Sequence, residues 1–150
     1  MAENKEIVRQ VIEGAYNQGK LDALDGCCAD HYVMHEAFGR DLNREGEKKL
    51  VQSYRGAFPD LHIESDTLIE EGNYVCARWT ATGTHQRALF GIAPSGEKLK
   101  IDGLLLVRCE QGRAAEAWQV FGTLRFVQQM RQAAGGQASR REGGTQPSPH

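Results

Sequence analysis

No apolar run exceeds four residues, as at Leu104–Val107, whereas a membrane-spanning helix needs roughly 20. Neither sign of charge dominates. Eighteen Lys+Arg stand against twenty Asp+Glu, net −2, which excludes the strong basic excess of a general nucleic-acid binder. Only four cysteines occur, Cys27, Cys28, Cys76 and Cys109, with no CxxC pair and no His/Cys spacing of a zinc site. Neither a disulfide framework nor a metal centre is expected from such a set; Cys76 and Cys109 fall in apolar, strand-like runs and read as small buried hydrophobes. Met1–Glu6 lacks the basic-then-apolar pattern of a secretion signal, so the expected compartment is the cytoplasm.

What is present is one domain's worth of chain. Of the 150 residues, 133–150 carry Gly, Ser, Arg and Pro but no aromatic or branched aliphatic side chain. That composition cannot offset its ordering entropy by burial, which predicts a folded domain over 1–132 and a disordered tail over 133–150. Ile7, Val8, Val11, Ile12, Ala15 and Tyr16 form one helical stripe that ends at Asn17-Gln18-Gly19. A short helix from Leu21 to about Cys28 follows, then an extended piece over His31–His35. A third helix is predicted over Arg44–Phe58, with Asn43 as its N-cap and Pro59 as its stop.

After Pro59 the apolar period becomes two. Leu61 and Ile63, then Val75, Ala77, Trp79 and Ala81, alternate with polar residues across a turn at Glu71-Gly72-Asn73. Residues 86–96 read as a loop. A long strand then carries Leu99, Ile101, Leu105 and Val107, a turn falls at Gln111-Gly112-Arg113, and the last strand spans Ala114–Phe121 before a closing helix around Leu124–Met130. Helices first and strands later give an α+β fold, with helices packed on a curved, mostly antiparallel sheet. Leu104–Val107 is apolar on both parities, which suggests a second copy covering the outer sheet face as a homodimer.

These residues resemble a known family. Asn4–Arg9 with Tyr16–Leu24, Phe58–Ile63, Gly72–His85, Phe90–Gly96 and the Glu116–Met130 ending are similar to the SnoaL-like polyketide cyclase and ester cyclase family, within the nuclear-transport-factor-2-like superfamily of conical folds. The resemblance implies a homodimer of cones, each with a pocket for an apolar or polyketide-like small molecule and with no cofactor or metal. It further implies an intramolecular aldol closure or a related isomerisation or hydration, driven by holding the reacting carbons together and by one acid/base group. In such cyclases that group is an Asp four residues after a Trp matching Trp118. Here the position is Gly122, and Ala117 precedes the Trp where relatives often carry His. The alternative expectation is therefore a non-catalytic binding or accessory protein using the same pocket.

Substitutes for the missing acid are drawn from the remaining titratable residues. His35 ends an apolar extended piece, and an imidazole titrates near neutrality. Asp102 interrupts an apolar strand, where desolvation raises a carboxyl pKa, although it shares parity with Lys98 and Lys100. His85 ends the Thr82-Gly83-Thr84-His85 run. Glu36 reads as a solvated rim charge. Trp79 and Trp118 are assigned to the in-facing parity as pocket walls, with Tyr54, Phe58 and Phe121, and Gly122 is expected to enlarge the pocket.

Overall fold

The computed structural model describes residues 3–145, with side chains through residue 135. The first stripe folds as helix α1, Asn4–Gln10, running on into a π-helical segment, Val11–Asn17. The wider winding is visible where Gln18 N–H donates to the Glu13 carbonyl five residues back, at 3.0 Å. Helix α2, Asp22–Cys27, follows at once. Gly14 lets the two elements approach: a Cβ there would lie 3.0 Å from that of Ala23.

Strand β1 spans Cys28–His35, longer than the extended piece read from sequence. Cys28 is already extended rather than helical, and its side chain enters the larger core. A two-residue strand β2, Asp41–Leu42, precedes helix α3, Arg44–Ala57. Asn43 caps α3 as expected, its Oδ1 accepting from Gly46 N–H at 2.8 Å. Strands β3 (His62–Glu71), β4 (Tyr74–Thr84), β5 (Lys98–Glu110) and β6 (Arg113–Phe121) complete one sheet in the order β2-β1-β6-β5-β4-β3. All neighbours are antiparallel except β1 with β6, which run parallel. Irregularities in register at Ser65/Thr67, Arg108/Cys109 and Cys28/Val33 bend the strands, so the sheet curves around the helices without closing.

Helix α4, Thr123–Thr145, is longer than the closing helix read from sequence, and its backbone continues into the segment assigned to a tail. Side chains beyond 135 and residues 146–150 lie outside the described residues. No helix among the described residues is long and apolar enough to cross a membrane.

The concave face of the sheet packs on α1, the π-helical segment and α3, forming the larger apolar core around Val8, Leu24, Val51, Val75 and Ala77. A smaller core of Ala57, Phe58, Leu89, Ile92, Phe126 and Met130 closes one end. Tyr54, Leu61, Ile101 and Phe121 touch both cores, and the space between them is not filled.

Candidate functional site

That unfilled space is a small cavity of about 90 Å³ that opens to solvent. Its helical wall is Ile12, Tyr16, Leu50 and Tyr54, with Phe58 at the end of α3. Its sheet wall comes from alternate residues: Leu61 and Ile63, Trp79 and Ala81, Leu99, Ile101 and Leu105, Gln119 and Phe121. Met34 and Glu36 reach it from β1 and the residue after it.

Gly103 is what lets Trp79 lie across this wall. The two are register neighbours, with Phe121 on the far side. A Cβ on Gly103 would stand 2.5 Å from the Trp79 ring and 2.4 Å from the Val120 carbonyl oxygen. The indole Nε1 donates to Gln119 Oε1 at 2.8 Å, so the indole donor is satisfied within the wall.

Two polar groups set the chemistry of the cavity. Glu36 is not a solvated rim charge: its side chain is only 2% exposed. Its Oε1 accepts from Arg40 Nε at 2.9 Å and its Oε2 from Phe38 N–H at 2.7 Å. The turn itself is closed by Gly39 N–H on the Glu36 carbonyl and Glu36 N–H on the Arg40 carbonyl, both 2.9 Å. Five residues thus fold back on one carboxylate and aim it inward. Tyr54 is the second group. Its hydroxyl makes no hydrogen bond among the described residues. Burial, with the nearby negative charge of Glu36, holds its pKa well above the ordinary tyrosine value, while Arg40 opposes this. It is therefore a protonated donor facing the cavity without a partner.

Behind the helical wall lies a third group that the sequence reading passed over. Glu47 is 2% exposed and accepts from two tyrosine hydroxyls, Tyr16 at 2.7 Å and Tyr32 at 2.6 Å. Burial raises its pKa, and the two tyrosine bonds oppose the rise. Its period on α3, with Leu50, Val51 and Tyr54 on the same side, was the available signal.

The sequence-derived candidates divide by sheet face. Trp79, Tyr54, Phe58 and Phe121 line the cavity. Trp118 does not: Ala117 and Gln119 point inward, so Trp118 points outward, opposite Leu106 and Cys76 in register. The in-facing parity assigned to it is corrected by one residue. His35 stands beside it on the outer face, its ring stacked on the indole at 5.4 Å. Its Nδ1 pairs with Asp41 and its Nε2 with Glu116, each at 2.7 Å. The bonds to Glu116 and then Asp41 raise its pKa above the ordinary value.

Asp102 is exposed on that outer face, paired in register with Thr80 and two residues from exposed Leu104. Gly122 is also exposed. It joins β6 to α4, where its carbonyl accepts from Phe126 N–H at 2.9 Å. A Cβ there would meet Arg125 at 3.5 Å, so the missing side chain does not enlarge this cavity. His85 is fully buried outside the cavity lining, stacked on Phe58 at 4.9 Å. Neither of its ring nitrogens has a hydrogen-bond partner. Burial lowers its pKa.

Among the described residues no three His, Cys, Asp or Glu side chains are grouped to hold a metal ion. The cavity can therefore offer one carboxylate and one free phenol within an otherwise largely apolar wall.

Comparison with known proteins agrees with this architecture. A candidate polyketide cyclase from Acidithiobacillus ferrooxidans is 30% identical, covering 89% of this chain and 97% of its own, with a TM-score of 0.77. IdmH from Streptomyces antibioticus, also a candidate polyketide cyclase, is 25% identical over 86% of this chain and 99% of its own, with a TM-score of 0.76. AclR from Streptomyces galilaeus, described as a candidate hydroxylase, shares the fold at 24% identity and a TM-score of 0.76, covering 88% of this chain and 98% of its own. No curated protein matches the chain. The family model for SnoaL-like polyketide cyclases matches residues 6–130, nearly the whole of the described fold, and the chain belongs to that family.

Proposed function

We propose that the cavity is the active site of a cyclase-type enzyme that works on a carbonyl-rich small molecule without a cofactor, and that Glu36 replaces the acid absent at Gly122. The observation that carries this reading is a buried carboxylate in the lining of an apolar cavity. A carbon acid beside a carbonyl gives its proton to Glu36. The enolate oxygen takes a hydrogen bond from the Tyr54 hydroxyl, which develops its full strength as charge builds there. The enolate carbon attacks a second carbonyl of the same molecule, a carbon–carbon bond forms, and Glu36 returns the proton to the new alkoxide. The apolar walls hold the chain folded, which raises the effective concentration of the two carbons.

Proton exchange from 2-tetralone into deuterated water, followed by NMR, tests the first step. The protein should accelerate exchange, and Glu36→Gln should lower that acceleration by at least about 100-fold. Retained exchange in Glu36→Gln removes Glu36 from the role.

A second reading is a binding protein with no turnover. It is favoured by the fact that both Glu36 oxygens already accept hydrogen bonds, which weakens a base. Tight binding of 2-tetralone with no exchange in the unaltered protein selects it.

The outer sheet face supports a second copy of the chain. Leu104, Leu106 and Val120 are exposed beside Trp118, with Asp102, Arg78 and Arg108 around them. An apolar centre with a charged margin is the anatomy of a self-complementary interface.

A further inference from the structure

Two exposed aromatic rings stand over the cavity without belonging to its inner wall. Phe38 is 37% exposed and lies on the turn that holds Glu36. Phe90 is 46% exposed and lies in the connection between β4 and β5. The rings meet edge to face at 5.1 Å. Each also contacts a lining residue, Phe38 with Phe121 at 5.8 Å and Phe90 with Tyr54 at 6.1 Å. Two separate loops therefore join a pair of aromatic rings between the cavity wall and water.

The backbone under Phe90 is unusual. Leu89 and Ile92 exchange both backbone hydrogen bonds, at 3.1 and 2.8 Å. The two residues between them, Phe90 and Gly91, have φ of 52° and 75°. A turn with both central residues left-handed prefers Asn-Gly or Gly-Gly, and a bulky side chain there is strained. The turn between β5 and β6 has the same form with Gln111 and Gly112, at 50° and 75°, but Gln111 does not place a ring anywhere. At position 90 a costly backbone supports an apolar side chain that remains half in water. Its contacts with Phe38 and Tyr54 still leave about half of the ring exposed, and a contact made when the cavity is filled would cover that remainder.

We propose that Phe38 and Phe90 are a specificity-determining pair that accepts a flat, conjugated ring of the substrate at the cavity opening, through the ring-on-ring geometry they now make with each other. This rests on the reading of the cavity as the substrate site. The rings discriminate by shape and by the aromatic quadrupole: a planar ring meets both at contact distance, and a puckered saturated ring of the same carbon skeleton does not.

The test compares 2-naphthol with decahydro-2-naphthol, the same skeleton flat and puckered, by calorimetric titration. The unaltered protein should bind 2-naphthol about tenfold tighter. Phe90→Asn, which suits the left-handed turn, should melt no lower than the unaltered protein and should reduce the preference to within twofold. Phe38→Leu should do the same from the other loop without touching the strained turn. A preference absent from the unaltered protein, or retained in both variants, overturns the proposal and leaves the cavity reading standing. Failure of the unaltered protein to bind either compound overturns the cavity reading and the proposal with it.

Discussion

The two faces of the sheet are built from the same strands and do opposite things. On the concave face, Trp79, Leu105 and Phe121 line a cavity whose buried carboxylate is Glu36. On the outer face, one residue along, Leu104 and Val120 are exposed and Trp118 half-buried among Asp102, His35, Arg108 and Glu116. Each face has an aromatic ring beside polar partners: Trp79 bonded to Gln119, Trp118 stacked on His35. The difference is what surrounds those partners. Outside, His35 reaches two carboxylates and its ring is held protonated to a higher pH. Inside, Tyr54 has a hydroxyl with no partner, and the surrounding wall is largely apolar. Both ring nitrogens of His35 are taken by carboxylates, whereas the Tyr54 hydroxyl is a free donor and each Glu36 oxygen, accepting one bond, keeps a lone pair for a substrate proton.

The largest effect that would break this comparison is chemical. Glu36→Gln should cost at least about 100-fold in proton exchange, whereas His35→Gln and Asp102→Asn should each stay within twofold in the same NMR assay. A reversal would place the chemistry on the outer face. The next is mechanical. Gly103→Val drives a side chain into the Trp79 ring and the Val120 carbonyl, and overpacking of this kind costs about 1–3 kcal/mol. Urea unfolding should show a loss at the top of that range, while the outward-facing Thr80→Val, on the neighbouring strand, should change stability by less than about 0.5 kcal/mol.

Association comes third. Leu104→Asp with Val120→Asp should convert a dimer to a monomer in sedimentation velocity and leave the melting temperature of the isolated fold nearly unchanged. An unaltered protein that sediments as a monomer removes the interface.

The smallest effect concerns pH. The folded-state pKa of Glu47 is raised by burial, so its contribution to stability is fully present below the unfolded carboxyl pKa, about 4.3. That contribution declines as pH rises from there through the raised folded value. The stability of the unaltered protein minus that of Glu47→Gln should fall over this interval and level off above it. A flat difference would mean that the two tyrosine bonds cancel the cost of burial.

Much of the fold could be read before any coordinates. The helical stripe, the Asn43 cap, the turns at Gly72 and Gly112 and the alternation of Val75 to Ala81 each depend on local spacing, and local spacing is written in the chain. Trp118 shows where such reading stops. Alternation gives two faces but does not say which is inner when both carry apolar residues, as β5 does at Leu104–Val107, and one step of register exchanges them. Gly122 shows the same limit at an element's end: it sits at the junction with α4, not within the strand's alternation.

Glu36 was hidden for a different reason. Its partners Phe38 and Arg40 lie within four residues, but no periodic spacing marks such a turn, and nothing local tells that the turn lies against the cavity rather than in water. Glu47 was hidden because its partners, Tyr16 and Tyr32, lie on two other elements.

The parallel pairing of β1 with β6 has a consequence for how the protein comes to exist. Met34 lies opposite Ala117 and His35 opposite Trp118, more than eighty positions apart in the chain. During synthesis the segment leading to Glu36 emerges early and can pair with β2 on one edge, but its other edge waits for the last strand. A nascent chain halted before residue 121 can form the hairpin of β3 and β4 but lacks the Gln119 and Phe121 part of the cavity wall. Separations of this length also slow folding. The turn that holds the acid is local to residues 36–40, but the room it serves is completed only by the last strand.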